Sequence, residues 1–248
     1  MRIPRFYINQ PLAIGLELNL PDDIHRHAIQ VLRLKMEERL IFFNGEGGEY
    51  LASLNFVKKR QSKAVILSFD EVNRESSLNV TLAIAMIKQD KMDFAIQKAV
   101  EMGVEKIKPL YTNRSVIKLK ANRLEKKLMH WQGIIKAASE QSGRTSVPKI
   151  DLPASLDSWL KTSSATLQLA MLPGNYPSIA TVAPPENQKV SLIIGPEGGF
   201  TDQEVDLLLS SDVKGIQVVP RILRAETAVI AGIALCQQQW GDINKHAS

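Results

Sequence analysis

Apolar residues follow two different rhythms along this chain, and the change falls in the polar segment 71–79. Before it the apolar runs are short and separated by turn residues, which is the mark of strands joined tightly. Residues 5–8 and 63–69 read as strands. Residues 39–43 and 49–54 flank Asn44-Gly45-Glu46-Gly47-Gly48, and an Asn-Gly start between two strand patterns predicts a hairpin. Residues 22–32 read as a helix, with Ile24, Ala28, Ile29 and Leu32 at helical spacing. Together these predict a small β-barrel over residues 1–72.

Past the polar segment, strands alternate with helices. Residues 80–87 are almost wholly apolar, as a parallel strand covered on both faces should be. Residues 90–102 predict a helix buried through Met92, Ile96, Ala99 and Val100, with Gly103 where a helix-ending glycine belongs. Strands are expected at 106–111, 166–172, 190–194 and 216–219, and helices at 122–139 and 226–239. Thr201-Asp202-Gln203-Glu204 has the spacing of a capping box, in which hydroxyl and carboxylate each serve a backbone N–H at a helix start. Trp131, Trp159 and Trp240 fall on apolar helix faces and are expected in the core. The pattern predicts an α/β domain with a parallel sheet over residues 73–248.

Composition narrows the class. Of 248 residues 44% are hydrophobic, yet no apolar run is long enough to span a bilayer. Met1-Arg2-Ile3-Pro4-Arg5 does not resemble a secretion signal. Cys236 is the single cysteine, which excludes an internal disulfide or a cysteine-built zinc site and suits a cytoplasmic protein. His25, His27, His130 and His246 lack ligand spacing, so no catalytic metal is expected. The net charge of +5 points mildly to a polyanionic partner, with basic residues gathered at 58–63 and 118–127.

Candidate chemistry lies at predicted strand ends. Gly195-Pro196-Glu197-Gly198-Gly199 follows one strand and precedes the capped helix, at the edge of an open α/β sheet where ligands bind. Glycines there let backbone approach a ligand, although the same loop would also serve as a plain turn. It is no phosphate cradle, because neither a Gly-x-Gly-x-x-Gly nor a P-loop pattern occurs in it. Arg221-Ile222-Leu223-Arg224-Ala225-Glu226-Thr227-Ala228 leads into the last helix, whose first N–H groups suit an acceptor. Leu172-Pro173-Gly174 and Val218-Val219 end the neighbouring strands. Asn113-Arg114-Ser115 and Glu140-Gln141-Ser142-Gly143-Arg144 are polar loops whose arginines suit phosphate or base edges.

These segments, in this order, resemble the ribosomal RNA small subunit methyltransferase E family. The resemblance is carried by Ile194-Gly195-Pro196-Glu197-Gly198-Gly199-Phe200, by 221–228 and by 140–144. Arg2-x-x-Arg5-Phe6, His27 with Val31-Leu32-Arg33, Lys98-x-x-Glu101-Met102-Gly103 and Arg114-Ser115-Val116 extend it nearly end to end. The resemblance implies a SPOUT-class enzyme with a C-terminal trefoil knot and a PUA-like RNA-binding domain in front. It further implies S-adenosylmethionine as cofactor, a homodimer with the active site at its interface, and methylation of uridine N3 near the 3′ end of 16S rRNA in the assembled small subunit.

On that basis Leu172, Pro173, Gly174, Gly195, Pro196, Glu197, Gly198, Gly199, Val218, Val219, Ile222, Leu223, Arg224, Thr227 and Ala228 are expected to hold the cofactor. Arg224, Glu197, Arg114 and Glu140 are the catalytic candidates, a carboxylate for the N3 proton and arginines for charge on the uracil oxygens. Arg2, Arg5, His27, Arg33, Lys58, Lys59, Arg60, Arg114 and Arg144 are the expected RNA contacts. One position departs from the family pattern: Val218-Val219 stands where Leu-Gly is usual, and valine resists a positive φ. Two rival readings stand beside this one: a non-catalytic RNA-binding or ribosome-assembly factor that kept the fold, supported by the departure at Val219, and a related knotted tRNA methyltransferase, against which the 140–144 loop and the PUA-like front domain argue.

Overall fold

The computed structural model describes residues 3–115 and 121–243, the side chains of Ala121 and Asn122 excepted. Contacts divide the chain into two units: one runs to Glu75 and takes in Ser139–Val147, the other comprises Ser76–Ala138 and the chain from Pro148.

The first unit is a five-stranded mixed sheet. Its elements are β1 (Arg5–Tyr7), β2 (Glu17–Asn19), α1 (Asp22–His25), β3 (Arg39–Phe43), β4 (Glu49–Lys58) and β5 (Gln61–Asp70), with strand order β1-β3-β4-β5-β2. The predicted hairpin joins β3 to β4 with Phe42 opposite Tyr50. Its turn requires glycine: Gly45, Gly47 and Gly48 all have positive φ, and a Cβ on Gly48 would lie 2.4 Å from the Phe69 ring. Alternate residues Phe6, Leu40, Phe42, Ala52, Leu54, Ala64 and Ile66 form the core.

The helix expected over 22–32 is α-helical only in α1. Residues 26–31 continue as a π-turn, closed by Leu32 N–H donating to the His27 carbonyl at 2.9 Å, five residues back. The wider turn breaks the helical spacing, so Ile24 and Ala28 reach the core while Leu32 faces solvent.

The second unit is built on a sheet whose pairings are all parallel. In chain order its elements are β6 (Asn79–Ala85), α2 (Gln89–Glu101), β7 (Val104–Tyr111), α3 (Ala121–Ser142, which ends in the first unit), β8 (Lys149–Ile150), β9 (Ala154–Ser155), α4 (Leu156–Leu160), β10 (Leu167–Met171), β11 (Lys189–Ile194), α5 (Asp202–Ser210), β12 (Lys214–Ile216) and α6 (Ala225–Trp240). The strand order is β12-β10-β11-β6-β7-β8, with β9 also on β7. The central strands are buried on both faces, as their apolar runs predict.

Gly103 closes α2 at φ +83. A side chain there would crowd Gln237 of α6, whose amide donates to the Met102 carbonyl and accepts from Ser76 Oγ. Trp131 and Trp159 are buried and Trp240 is partly so. The last sheet strand lies earlier than expected: β12 ends at Ile216. Its partner β10 stops at Met171, so the ladder has nothing to pair with 217–219 and the chain leaves the sheet.

A cleft at three strand ends

Parallel pairing puts the carboxyl ends of β11, β10 and β12 side by side. Ala170 lies opposite Ile193 and Met171 opposite Ile216, so Leu172, Gly195 and Gln217 leave the sheet at one edge. The segments that follow enclose a cleft. Its wall is Met171–Pro173 from β10, Ile194–Glu197 with Gly199 and Phe200 from β11, and Ile216–Val219 with Arg221–Leu223 after β12; Ala225 and Ala228 of α6 complete it.

The glycine loop is fixed by its neighbours. A Cβ on Gly195 would lie 3.0 Å from the Phe200 ring, and Gly199 sits at φ +69. The capping box predicted at α5 forms: Glu204 N–H donates to Thr201 Oγ1, and Glu204 Oε2 accepts from Thr201 N–H at 2.9 Å. Glu204 Oε1 also accepts from Asn113 N–H at 2.7 Å, and Arg114 Nη1 donates to the carbonyls of Gly198 and Phe200 at 2.9 and 3.1 Å. Thus the loop after β7 is clasped to the loop after β11. Glu197 Oε1 accepts from Lys88 N–H at 3.3 Å, at the start of α2, and lies 3.9 Å from Lys91 Nζ.

Polar capacity at the cleft is mostly backbone. Arg224, the residue before α6, gives no side-chain cap, so the first N–H groups of that helix are left for another acceptor. Glu226 in that first turn has one carboxylate oxygen buried with no hydrogen-bond partner among the described residues. Arg221, Ile222 and Arg224 are exposed, Ile222 at 90%. Neither Val218 nor Val219 has a positive φ, so the valines are held without left-handed strain.

Of the fifteen residues expected at a cofactor, Leu172, Pro173, Gly195, Pro196, Glu197, Gly199, Val218, Val219, Ile222, Leu223 and Ala228 line the cleft. Gly198 joins Arg114 on an adjoining hollow that shares Leu172, Pro173, Gly199 and Phe200 with it. Gly174, Arg224 and Thr227 are outside both linings. Lining residues absent from the expectation are Met171, Ile194, Phe200, Ile216, Gln217, Arg221 and Ala225, and in the hollow Tyr176, Asp202, Val205 and Asp206. Met171, Ile194 and Ile216 are the last residues of their strands, a signal that was available. Nothing in the sequence marks Tyr176.

The expected RNA contacts divide. His27, Arg33, Lys58, Lys59, Arg60 and Arg114 are exposed; Arg2 lies outside the described residues. The fold puts Arg5 and Arg144 to another use. Arg5 is buried in an ion pair with Glu49 at 2.8 Å, lies over the Phe43 ring at 4.9 Å and donates to the carbonyls of Ser139, Glu140 and Arg144. Arg144 is buried against Glu75, whose other oxygen accepts from the N–H groups of Thr145 and Ser146 at 2.9 and 3.1 Å. Burial pushes the Glu75 carboxyl up, but the Arg144 hydrogen bond and charge, with the Ser146 donors, outweigh it and hold the group below the usual glutamate range. Burial opposes the same outcome at Glu49, where Arg74 and Arg5 prevail. Glu140, a catalytic candidate, lies in this first unit and accepts from Tyr7 N–H at 3.0 Å.

Among the described residues no three His, Cys, Asp or Glu side chains converge as a metal site, and no helix is long and apolar enough to cross a membrane. Cys236 is buried, which pushes its thiol up to about 12.

Residues 74–237 match the family model described as RNA methyltransferase domain, and residues 20–67 match the RNA methyltransferase PUA domain. The ribosomal RNA small subunit methyltransferase E of Rickettsia conorii is 37% identical over 242 residues, covering 94% of this chain and 95% of that protein. The protein of the same name from Buchnera aphidicola is 32% identical, covering 98% and 99%. Among solved structures, ribosomal RNA small subunit methyltransferase E from Neisseria gonorrhoeae bound to S-adenosyl methionine superposes with a TM-score of 0.92 at 35% identity, over 98% of this chain and 100% of that one. A methyltransferase from Legionella pneumophila in complex with SAM gives 0.93 at 37%, with the same coverage.

Proposed function

The chain belongs to the ribosomal RNA small subunit methyltransferase E family, and on that premise we propose that it methylates N3 of one uridine near the 3′ end of 16S rRNA, in the assembled small subunit. The observation that carries the reading is the cleft: two sequence-distant segments that bear the family resemblance, the loop after β11 and the one leading into α6, form one wall with Leu172 and Pro173.

The residues present fit S-adenosylmethionine. The cleft offers mostly apolar side chains, backbone at close approach and a helix start without a side-chain cap, with Arg221 the one basic side chain on its wall among the described residues. Leu172, Gly195, Pro196, Gly199, Val218, Leu223 and Ala228 would hold it. When bound it supplies a methyl group already activated by a sulfonium, so positioning provides much of the rate.

The protein's own task is the N3 proton. Uridine N3 is a poor nucleophile until that proton leaves, and negative charge then spreads to the ring oxygens. Of the two candidate carboxylates, Glu197 is the one on the cleft wall. It would accept the N3 proton, freeing the nitrogen electron pair for the methyl group that the cofactor would supply. The exposed guanidinium of Arg224, with Arg221 on the cleft wall, donates to the uracil oxygens as charge develops. Arg114 holds the glycine loop through two carbonyls. In this reading the working form is a homodimer in the cytoplasm, the second unit carries a trefoil knot, and His27, Arg33, Lys58, Lys59 and Arg60 hold rRNA phosphates.

Small subunits from cells lacking the protein, treated with it and S-adenosylmethionine, should yield 3-methyluridine at a single 16S position when nucleosides are mapped by mass spectrometry. A methyl group on another atom, or transfer only to tRNA, overturns the reading. Glu197→Gln keeps an oxygen that can accept from Lys88 N–H and removes the base. Its turnover should fall at saturating cofactor with little change in cofactor affinity; near-normal turnover takes Glu197 out of that role.

A further inference from the structure

Just beyond the π-turn of the first unit, apolar side chains stand in solvent. Val31 is 64% exposed, Leu32 42% and Met36 51%. Three large apolar residues within six positions is a concentration, unlike the single exposed residues common on any surface.

The backbone that displays them is held at several points. Leu32 N–H donates to the His27 carbonyl, Leu34 N–H to Ala28 at 3.0 Å, and Glu37 N–H to Leu54 at 2.8 Å. Arg33 and Glu37 adopt φ of +58 and +69. Each left-handed residue of this kind costs about 1–2 kcal/mol, and such conformations persist where the surrounding structure enforces them, often at binding sites. The display is therefore built into the fold.

Charge identifies what it meets. Arg26, Arg33, Lys35 and Arg39 are exposed, and none has an ion-pair partner among the described residues. Around the tip itself Arg33, Lys35 and Arg39 stand against Glu37 and Glu38, while Arg26 follows Asp22 and Asp23 of α1, and Glu38 accepts from the Lys35 backbone N–H. A fixed apolar tip among unpaired cations fits a polymer that is anionic outside and apolar within. Unpaired RNA is such a polymer: base faces accept apolar contact and phosphates accept arginine and lysine.

We propose that Val31, Leu32 and Met36 form a wedge that packs on unpaired bases of the RNA substrate while Arg26, Arg33, Lys35 and Arg39 hold the flanking phosphates. The proposal rests on the reading that RNA is the substrate, and it adds base contact to the phosphate contacts assigned above. Apolar side chains set against base steps are a known means of fixing a nucleic acid's local shape.

The test uses the full-length protein and small subunits from cells lacking it. Val31→Ser with Leu32→Ser should raise the subunit KM roughly tenfold, leave kcat and cofactor affinity near wild type, and leave the salt dependence of binding unchanged. Arg26→Gln with Arg33→Gln should instead lower the slope of log affinity against log salt by about 1.4–1.8, two phosphate contacts at roughly 0.7–0.9 each. A photo-crosslinking benzophenone side chain at position 36 should join the protein to 16S rRNA. A subunit KM within twofold of wild type overturns the wedge, as does a crosslink to ribosomal protein alone or to nothing. The crosslink is read without methyl transfer. A wild-type protein that fails to methylate subunits therefore sinks the methylation reading, while the crosslink still decides the wedge.

Discussion

In the first unit Arg5, Arg74 and Arg144 lie against Glu49 and Glu75, whereas in the second Arg221 and Arg224 stand exposed with no carboxylate paired to them among the described residues. The residue type is the same and, for Arg5 and Arg144, the surroundings are opposite; Arg74 reaches Glu49 from a side chain that is itself exposed. Glu49 and Glu75 are largely out of water and have arginine as their main compensation, so each arginine there is part of the fold. At the cleft the guanidinium groups leave nothing buried if removed. Loss of an inner arginine should therefore register as stability and loss of an outer one as turnover.

Several measurements could break that contrast. Arg144→Ala strands the Glu75 charge and should cost about 3–5 kcal/mol in denaturant unfolding; a loss under about 1 kcal/mol would show that Glu75 is satisfied by Thr145 and Ser146 alone. Arg224→Ala should lower kcat on subunits by about 10²-fold, roughly 2.7 kcal/mol of transition-state stabilisation, while unfolding stays within about 0.5 kcal/mol of wild type. The reverse pattern, an unstable but active variant, would erase the distinction.

Acid unfolding sharpens it further. Glu49 and Glu75 are held below the usual glutamate range in the folded protein. The unfolded chain therefore takes up their protons first as pH falls. The stabilisation is fully present above the ordinary glutamate range and is lost as pH drops through the lower folded values. Arg144→Ala should flatten the Glu75 share of that acid slope, and Arg224→Ala should leave it unchanged. The smallest effect belongs to the exposed cluster on the β4–β5 turn. Neutralising Lys58, Lys59 and Arg60 to Gln should reduce the salt slope of subunit binding by up to about 2.1–2.7, three contacts at roughly 0.7–0.9 each, with stability unmoved.

Periodicity made the second unit readable because its strands are buried on both faces and its helices carry strong end signals. The run at 80–87, Gly103 and the Thr201–Glu204 box all appear as the sequence predicts. What escaped was governed by tertiary contact. The end of β12 at Ile216 is set by where β10 stops, which no local pattern encodes. The π-turn at 26–31 inserts a residue that helical spacing does not foresee. Strand β9 and helix α4 are too short to show a period, and α4 buries only Leu156 and Trp159, with Leu160 partly buried beside them. At the cleft, the glycine and strand-end residues were legible from chemistry and order. The fate of Arg5 and Arg144 was not, because whether an arginine meets a distant glutamate is a property of the fold.

Glu204 is bonded at once to Asn113 N–H and to Thr201 N–H, and that sharing has a thermodynamic consequence. The loops at 112–115 and 198–201 are tied to each other, since both donate an N–H to Glu204 and Arg114 donates to the Gly198 and Phe200 carbonyls. A molecule that orders the glycine loop therefore lowers the entropic cost of ordering the Arg114 loop for whatever binds next to it. Linkage makes the effect mutual, so occupancy of the cleft and of its neighbouring hollow should be cooperative, each tightening the other by the same factor.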